Sequence, residues 1–244
     1  LVEKRVLAIL NMLSKNRKHI GIMNTNRLTF DRQLGTLRDQ VLQMSEVVEQ
    51  AILFSSRALL HHDLELAQSV SDFDSQINTK RFIIEEQAYQ LLALQQPNAK
   101  DMRQIVAGVS VVTNLERIGD HCAGIARLVI RMGVQPKIPV PSEFETMSAI
   151  GQWLTRNAMT AFATSDEALA QTVVSRDGEI DALHSQVHKS LIATMTGDPS
   201  AIETGTLLLW VSHNFERIGD RATNIARRVA YLVKGDLLHN VELE

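Results

Sequence analysis

The chain has 244 residues, a formal net charge of −3, and a composition that is 45% hydrophobic but only 5% aromatic. Twelve glycines and five prolines are too few for a β-sandwich or barrel and favour long helices, where each such breaker costs about 1 to 3 kcal/mol. The near-neutral charge excludes a global basic field for nucleic acid, and the single Cys122 excludes an internal disulfide framework and suits a reducing compartment.

Residues 1–26 come first. Val2, Val6, Ile9, Leu10 and Leu13 follow helical spacing among Lys4, Arg5, Lys15, Arg17 and Lys18. This stretch is expected to be a non-native N-terminal extension; the alternative is a short basic amphipathic helix for a membrane surface or a partner. It is not a secretory signal, because polar residues interrupt the apolar ones. No apolar run is long enough to span a membrane.

From residue 27 the periodicity is strong. Leu34, Leu37, Val41, Met44, Val48, Ile52 and Leu59 mark a first helix. Asp63 is placed to cap a second, running to about Leu94. Pro97 suits the first turn of a third, ending near Met132. Residues 135–141 contain Pro136, Pro139 and Pro141 and cannot be helical, so they form a linker. Ser142-Glu-Phe-Glu145 has the form of a capping box opening a fourth helix. Asp166 caps a fifth, and Asp198-Pro199 opens a sixth that ends near Lys234-Gly235. The eight methionines are expected to fill gaps in the core.

The second half repeats the first. Asp63-Leu-Glu-Leu-Ala-Gln-Ser-Val70 matches Asp166-Glu-Ala-Leu-Ala-Gln-Thr-Val173, 103 positions on. Asn114-Leu-Glu-Arg-Ile-Gly-Asp120 matches Asn214-Phe-Glu-Arg-Ile-Gly-Asp220, 100 positions on. Short connections make successive helices antiparallel neighbours. The expected fold is therefore all-α: six long helices in two pseudo-symmetric antiparallel three-helix bundles, 27–134 and 142–244.

The chemistry lies in the carboxylates. Glu116 and Asp120 are one helical turn apart, as are Glu216 and Asp220. Like charges at that spacing cost a helix a few tenths of a kcal/mol, so the doubled arrangement calls for a cation. That cation is either an arginine on a neighbouring helix or a metal ion. Gly119 and Gly219, each costly in mid-helix, imply a closely approaching helix or an ion needing room. Asp74 and Glu85 share a face of the second helix. Asp177, Asp181, His184 and His188 form the corresponding stripe of the fifth, and His213 lies one turn before Glu216. Oxygen-rich sites with some imidazole suit iron, manganese, zinc, magnesium or calcium. Arg117 and Arg217 point about 100° from their neighbouring glutamates and pair with another carboxylate or face a partner; Arg103 has the same two readings. His61, His62, His121 and His239 are expected at the surface or in caps.

These residues resemble the PhoU family of phosphate-transport regulators. The resemblance rests on the doubled Asn-x-Glu-Arg-Ile-Gly-Asp, on Gln95-Gln-Pro-Asn-Ala-Lys-Asp-Met-Arg103 and on Phe30-Asp-Arg-Gln-Leu34, and spans about residues 23–240. It implies two three-helix bundles whose acidic motifs hold multinuclear iron or zinc. On this resemblance the metal ligands are Asp74, Glu116, Asp120, Asp177, Asp181, Glu216 and Asp220, with Glu85, His184 and His188 as further candidates. It also implies a cytoplasmic negative regulator of the phosphate-starvation response, not an enzyme. The implied partners are a sensor histidine kinase and the ATPase subunit of a phosphate ABC transporter. Membrane association then comes only through those partners, a homodimer is compatible, and no nucleic acid is bound. Two departures distinguish the copies: Gly124 stands against Asn224, and Arg81 stands where the second copy has His184. Two other readings compete. A ferritin-like di-metal enzyme needs paired Glu-x-x-His motifs, for which Asp181-Ala-Leu-His184 is the one near analogue. A metal-free structural adaptor leaves the identical pentapeptides unexplained.

Overall fold

A computed structural model of the chain describes residues 2–95 and 97–234, with side chains for 27–94 and 97–233. The described residues form seven α-helices and one 3₁₀ turn: α1 (Val2–His61), α2 (Leu64–Gln95), α3 (Ala99–Met132), α4 (Glu143–Thr164), α5 (Glu167–Ser175), α6 (Asp177–Gly197), the turn Pro199–Ala201, and α7 (Ile202–Lys234). No strand occurs among them. The side chains of the expected extension, 1–26, and the residues after Lys234, including His239, lie outside the described residues.

The fold is the expected one. Helices α1, α2 and α3 form the first bundle, and α4, α5 with α6, and α7 form the second. Met44, Val48 and Ile52 of α1, Ile77 and Ile84 of α2, and Leu115, Ile118 and Ile125 of α3 are buried in one cluster. The second bundle is filled in the same way by Met147 and Leu154, Ile180 and Val187, and Phe215, Ile218 and Ile225. Met44, Met147 and Met159 fill core space as expected, whereas Met102 is exposed at the outer face of α3. Both seams belong to one continuous hydrophobic cluster, because α3 packs along α7 and α1 along α4. α3 and α7 run antiparallel: Gly124 faces Asn214, while Leu128 and Arg131 lie beside Trp210 and Glu203.

Local details follow the sequence in part. Asp63 and Asp166 each cap as expected, accepting from the backbone N–H of Leu66 (2.9 Å) and Leu169 (3.0 Å). The residues before them, His62 and Ser165, both take left-handed φ, 53° and 55°, so the α1–α2 and α4–α5 turns are one structure used twice. Three expectations change. Pro97 stands outside α3, which is capped by Asn98 Oδ1 accepting from the N–H groups of Lys100 and Asp101. The capping box at Ser142 does not form; Ser142 is already helical in φ and ψ, so its hydroxyl is not aimed at the first-turn N–H groups. The fifth expected helix is broken at Arg176 into α5 and α6. There the Arg176 guanidinium lies 4.0 Å over the Trp153 ring and holds Glu179 through two bonds of 2.7 and 2.8 Å. At the same place in the first repeat Phe73 packs edge-on against Phe54, and α2 runs through unbroken.

Candidate metal centre

The mid-helix glycines explain themselves by packing. A Cβ on Gly119 would lie 2.8 Å from Ile77 Cδ1, and one on Gly219 would lie 2.9 Å from Ile180 Cγ2. Ile77 and Ile180 occupy matching positions in the two repeats. The glycines let α2 and α6 close onto α3 and α7, which brings the acidic faces of each helix pair together. Of the two explanations open in the sequence, the close helix applies.

The first repeat meets its carboxylates with arginine. Arg81 on α2 donates from Nη1 to Glu116 Oε1 at 2.6 Å and from Nε to Glu85 Oε1 at 3.0 Å. Arg117 lies 3.5 Å from Glu116 Oε2 and donates to Asp120 at 3.1 Å. Asp74 takes a bond of 3.4 Å from Asn78 Nδ2. Burial raises its pKa above the ordinary carboxylate value, the Asp120 charge adds to this, and Arg127 opposes it. Glu85 therefore belongs to the Arg81 ion-pair chain. Arg81 meets Glu116 on Oε1, while Oε2, with Arg117 Nε 3.5 Å away, is buried without a hydrogen bond.

The second repeat is built on the same frame with fewer cations. Arg217 Nη1 donates to Asp220 at 2.8 Å, and its Nε lies 3.0 Å from Glu216 Oε2. That oxygen is shut off from solvent and has no partner in hydrogen-bonding geometry. His213 Nδ1 is 3.4 Å away. Asp177 accepts from Thr223 Oγ1 at 2.9 Å, with Arg227 at 3.8 Å. Asp181 makes no hydrogen bond or ion pair among the described residues, and its pKa is raised by burial and by Asp177 and Asp220. Burial also raises Glu216, with further upward pushes from Asp220, Asp181 and Asp177 against the pull of Arg217. Four carboxylates thus share one field.

The arginine within each pentapeptide folds back onto its own acidic pair. A side chain 100° off in azimuth reaches both because the guanidinium stem is long. Arg117 and Arg217 are therefore occupied, whereas the sequence left them pairing elsewhere or facing a partner. Arg103 is half-buried, with Nε enclosed and unpaired. His184 Nδ1 is hydrogen-bonded to Ser212 Oγ at 2.8 Å, its Nε2 has no partner among the described residues, and its ring stands 6.3 Å from His188 and 6.4 Å from His213. Burial, with two neighbouring imidazoles, lowers its pKa. His188 is solvent-exposed. Among the described residues, no three or more His, Cys, Asp or Glu side chains are gathered tightly enough to grip an ion as they stand.

One residue pair was missed in the sequence. His121, expected at the surface or in a cap, is half-buried between the bundles and bonds Asn214 Oδ1 at 3.0 Å. Asn214 Nδ2 donates to Trp210 O, so the imidazole supplies the proton of the inter-bundle bond. The signal available was the Asn that opens both heptapeptides. Cys122, next in sequence, is fully buried and its thiol pKa is pushed up to about 12 by desolvation, which makes it an inert core residue.

With this geometry in place, the chain was compared with known proteins. A family model, the PhoU domain, matches it twice, over residues 41–129 and 144–229. A phosphate-specific transport system accessory protein PhoU homologue of Caulobacter vibrioides is 34% identical over 211 residues, covering 86% of this chain and 92% of the relative. Its counterpart in Pseudomonas aeruginosa is 35% identical over 217 residues, covering 88% and 89%. Two crystal structures share the fold. PhoU from Pseudomonas aeruginosa superposes with a TM-score of 0.80 at 34% identity, covering 85% of this chain and all of that one. The phosphate transport system regulatory protein PhoU from Streptococcus pneumoniae gives 0.81 at 28% identity, covering 86% and 100%.

Proposed function

The chain belongs to the PhoU family, and from that premise we propose that it is an accessory regulator of phosphate-specific transport that binds a metal ion at its second repeat. Family membership supports the regulatory role. No described helix is long and apolar enough to cross a membrane, which fits a protein that acts through membrane-bound partners. The partners we propose are the ATPase subunit of a phosphate ABC transporter and a sensor histidine kinase, with the chain working as a negative regulator in the cytoplasm.

The observation that carries the metal is the enclosed Glu216 Oε2 in a field of four carboxylates. Asp177, Asp181, Glu216 and Asp220 would hold the ion, with Nε2 of His184 as a further donor. Iron or zinc suits that mixture of oxygen and imidazole. The ion would supply positive charge between α6 and α7. Asp181 and Glu216 would bind it as carboxylates, the ion offsetting the burial and neighbouring charges that raise their pKa, and Arg217 orients the Glu216–Asp220 pair. The first repeat fits an ion poorly, because Arg81 already lies between Glu85 and Glu116. There Asp74, Glu116 and Asp120 form a metal-free charged face, and the adaptor reading without metal applies to that half.

Elemental analysis of purified protein tests this. Glu216→Ala with Asp220→Ala is expected to remove the metal, and Asp74→Ala with Asp120→Ala to leave it. Metal unchanged in the first variant overturns the site. Pull-down of the transporter ATPase and the kinase by the same variants tests the role, and unchanged capture of both overturns it.

A further inference from the structure

Helix α2 turns an apolar stripe away from the molecule. Phe82 is 68% exposed, Tyr89 57% and Ile83 47%. Phe82, Glu86, Tyr89 and Ala93 line a shallow groove of about 580 Å³ on this face, with Leu94 at its end. Positions 82, 86, 89 and 93 are spaced four, three and four apart, which is the spacing of a coiled-coil seam. At 100° per residue they stand about 180° around the helix from Ile84, the centre of its buried face. The helix therefore has two seams, one packed in the bundle and one left to solvent.

The duplication shows that the fold does not require the second seam. By the offset of 103, Phe82, Glu86, Tyr89 and Ala93 correspond to Ser185, Lys189, Ile192 and Thr196 of α6. The same offset carries buried Ile84 and Ala88 onto buried Val187 and Leu191, so the faces are matched correctly. The outer face of α6 is thus polar apart from Ile192. The counterpart of Ile83 is Gln186, which donates to Glu143. Large apolar side chains left bare together, and in one copy only, mark a contact surface.

We propose that a second copy of the chain docks on this stripe, α2 lying antiparallel along α2 about a two-fold axis between positions 87 and 88. A two-fold contact uses one patch twice, so each side chain needs its complement on the same helix. The stripe supplies it. With position 82 opposite 93, bulky Phe82 lies against Ala93 of the second copy. With position 86 opposite 89, the Glu86 carboxylate accepts from the phenol of Tyr89 of the second copy. At home Glu86 Oε1 takes one bond, from Gln90 Nε2 at 3.3 Å, and its other oxygen is left for the phenol. Charge fixes the register, because sliding the helices until Glu86 faces Glu86 would oppose like charges. Phe82, Tyr89 and the flanking Ile83 and Leu94 offer roughly 500 Å² per copy. About 1,000 Å² in all falls just below the size of a stable complex, so the pair is expected to dissociate in the micromolar range.

The test is sedimentation of the full chain from about 1 to about 100 μM, where a monomer–dimer transition is expected. Phe82→Glu is expected to weaken the dimer at least about tenfold while leaving the melting temperature of the dilute chain unchanged, because the side chain is exposed. Ile192→Glu, at the matching place on α6, is expected to leave the dimer as it was. The register is read by cysteine pairs. A mixture of Phe82→Cys and Ala93→Cys chains is expected to form a disulfide under mild oxidant. Phe82→Cys alone is not, since its two copies stand about 16 Å apart along the axis. Buried Cys122 does not compete. A monomer throughout the range, a dimer indifferent to Phe82→Glu, or cross-linking of Phe82→Cys to itself overturns the proposal. A chain that stays monomeric, and whose capture of the transporter ATPase is lost in Phe82→Glu, gives the face to that partner and overturns it equally.

Discussion

Each Glu-Arg-Ile-Gly-Asp pentapeptide carries its own cation, and the two repeats differ by a single further arginine. Arg81 gives the first repeat a second positive charge against Glu116, whose side chain is 9% exposed. Hydrogen bonds to charged groups contribute roughly 1.5 to 3 kcal/mol, so Arg81→Ala is expected to cost about 2 kcal/mol. That corresponds to a melting temperature lower by about 4 to 8 °C for a chain of this size. Most of the loss comes from leaving a buried charge unpaired, so Glu116→Gln in the Arg81→Ala background is expected to recover part of it. A melting temperature insensitive to Arg81→Ala would show that Arg117 alone suffices. The spacing of the carboxylates was legible in the sequence. The return of Arg117 and Arg217 onto them was not, because azimuth on a helix fixes where a side chain starts and not where a long stem ends.

At the scale of the helices, Gly119 and Gly219 set how closely α2 and α6 approach their partners. Alanine in mid-helix gains about 1 kcal/mol of propensity over glycine, and overpacking costs about 1 to 3 kcal/mol. The nearest atom at Gly119 is the terminal Cδ1 of Ile77 at 2.8 Å, which can rotate aside, leaving the milder contact of Cγ2 at 3.3 Å. At Gly219 it is the branch-point methyl of Ile180, held at χ1, with Leu154 Cδ1 behind it at 3.7 Å. Gly119→Ala is therefore expected to be nearly neutral and Gly219→Ala to lose about 1 to 2 kcal/mol in urea denaturation. Ile180→Val in the Gly219→Ala background should leave that loss in place, since valine keeps the offending Cγ2; Ile180→Ala should relieve the clash at the cost of a cavity. Equal effects at the two glycines would contradict this account. The helices, their linker and two aspartate caps were visible as period and punctuation. The break at Arg176 was hidden because it depends on a cation–π contact with Trp153, which is 23 positions away on another helix.

For the whole molecule, the joint between bundles contains a titratable bond. His121 meets Asn214 from α7, with Arg221 and His213 of α7 and Asp120 of its own helix also acting on it. Burial lowers its pKa, helped by Arg221 and His213, while the bond to Asn214 and the Asp120 charge work the other way. The unfolded chain therefore binds a proton here before the folded one does. Stability is complete above the ordinary histidine value of about 6.5 and falls as pH drops through the window below it. Burial lowers His184 and His213 as well, so they contribute with the same sign. His121→Asn is expected to flatten the pH dependence of the urea midpoint below pH 6.5, and an unaltered slope would exclude His121 from it.

The sequence by itself determined the helical class, the duplication, the linker and the two acidic motifs. All of these are local: a period of 3.6, prolines that cannot continue a helix, and a heptapeptide that recurs. The comparison of the two copies even marked Arg81 against His184. Only the tertiary structure decided what those differences mean. It brought Arg81 across from α2 to Glu116, left Asp181 and Glu216 without such a cation, and set His121 into the seam between bundles. It also left Phe82 and Tyr89 bare on α2, where α6 carries Ser185 and Ile192. Charge compensation, desolvation and exposure depend on which helices touch, and a hydrophobic period fixes the face a helix buries without naming the side chains it will meet there.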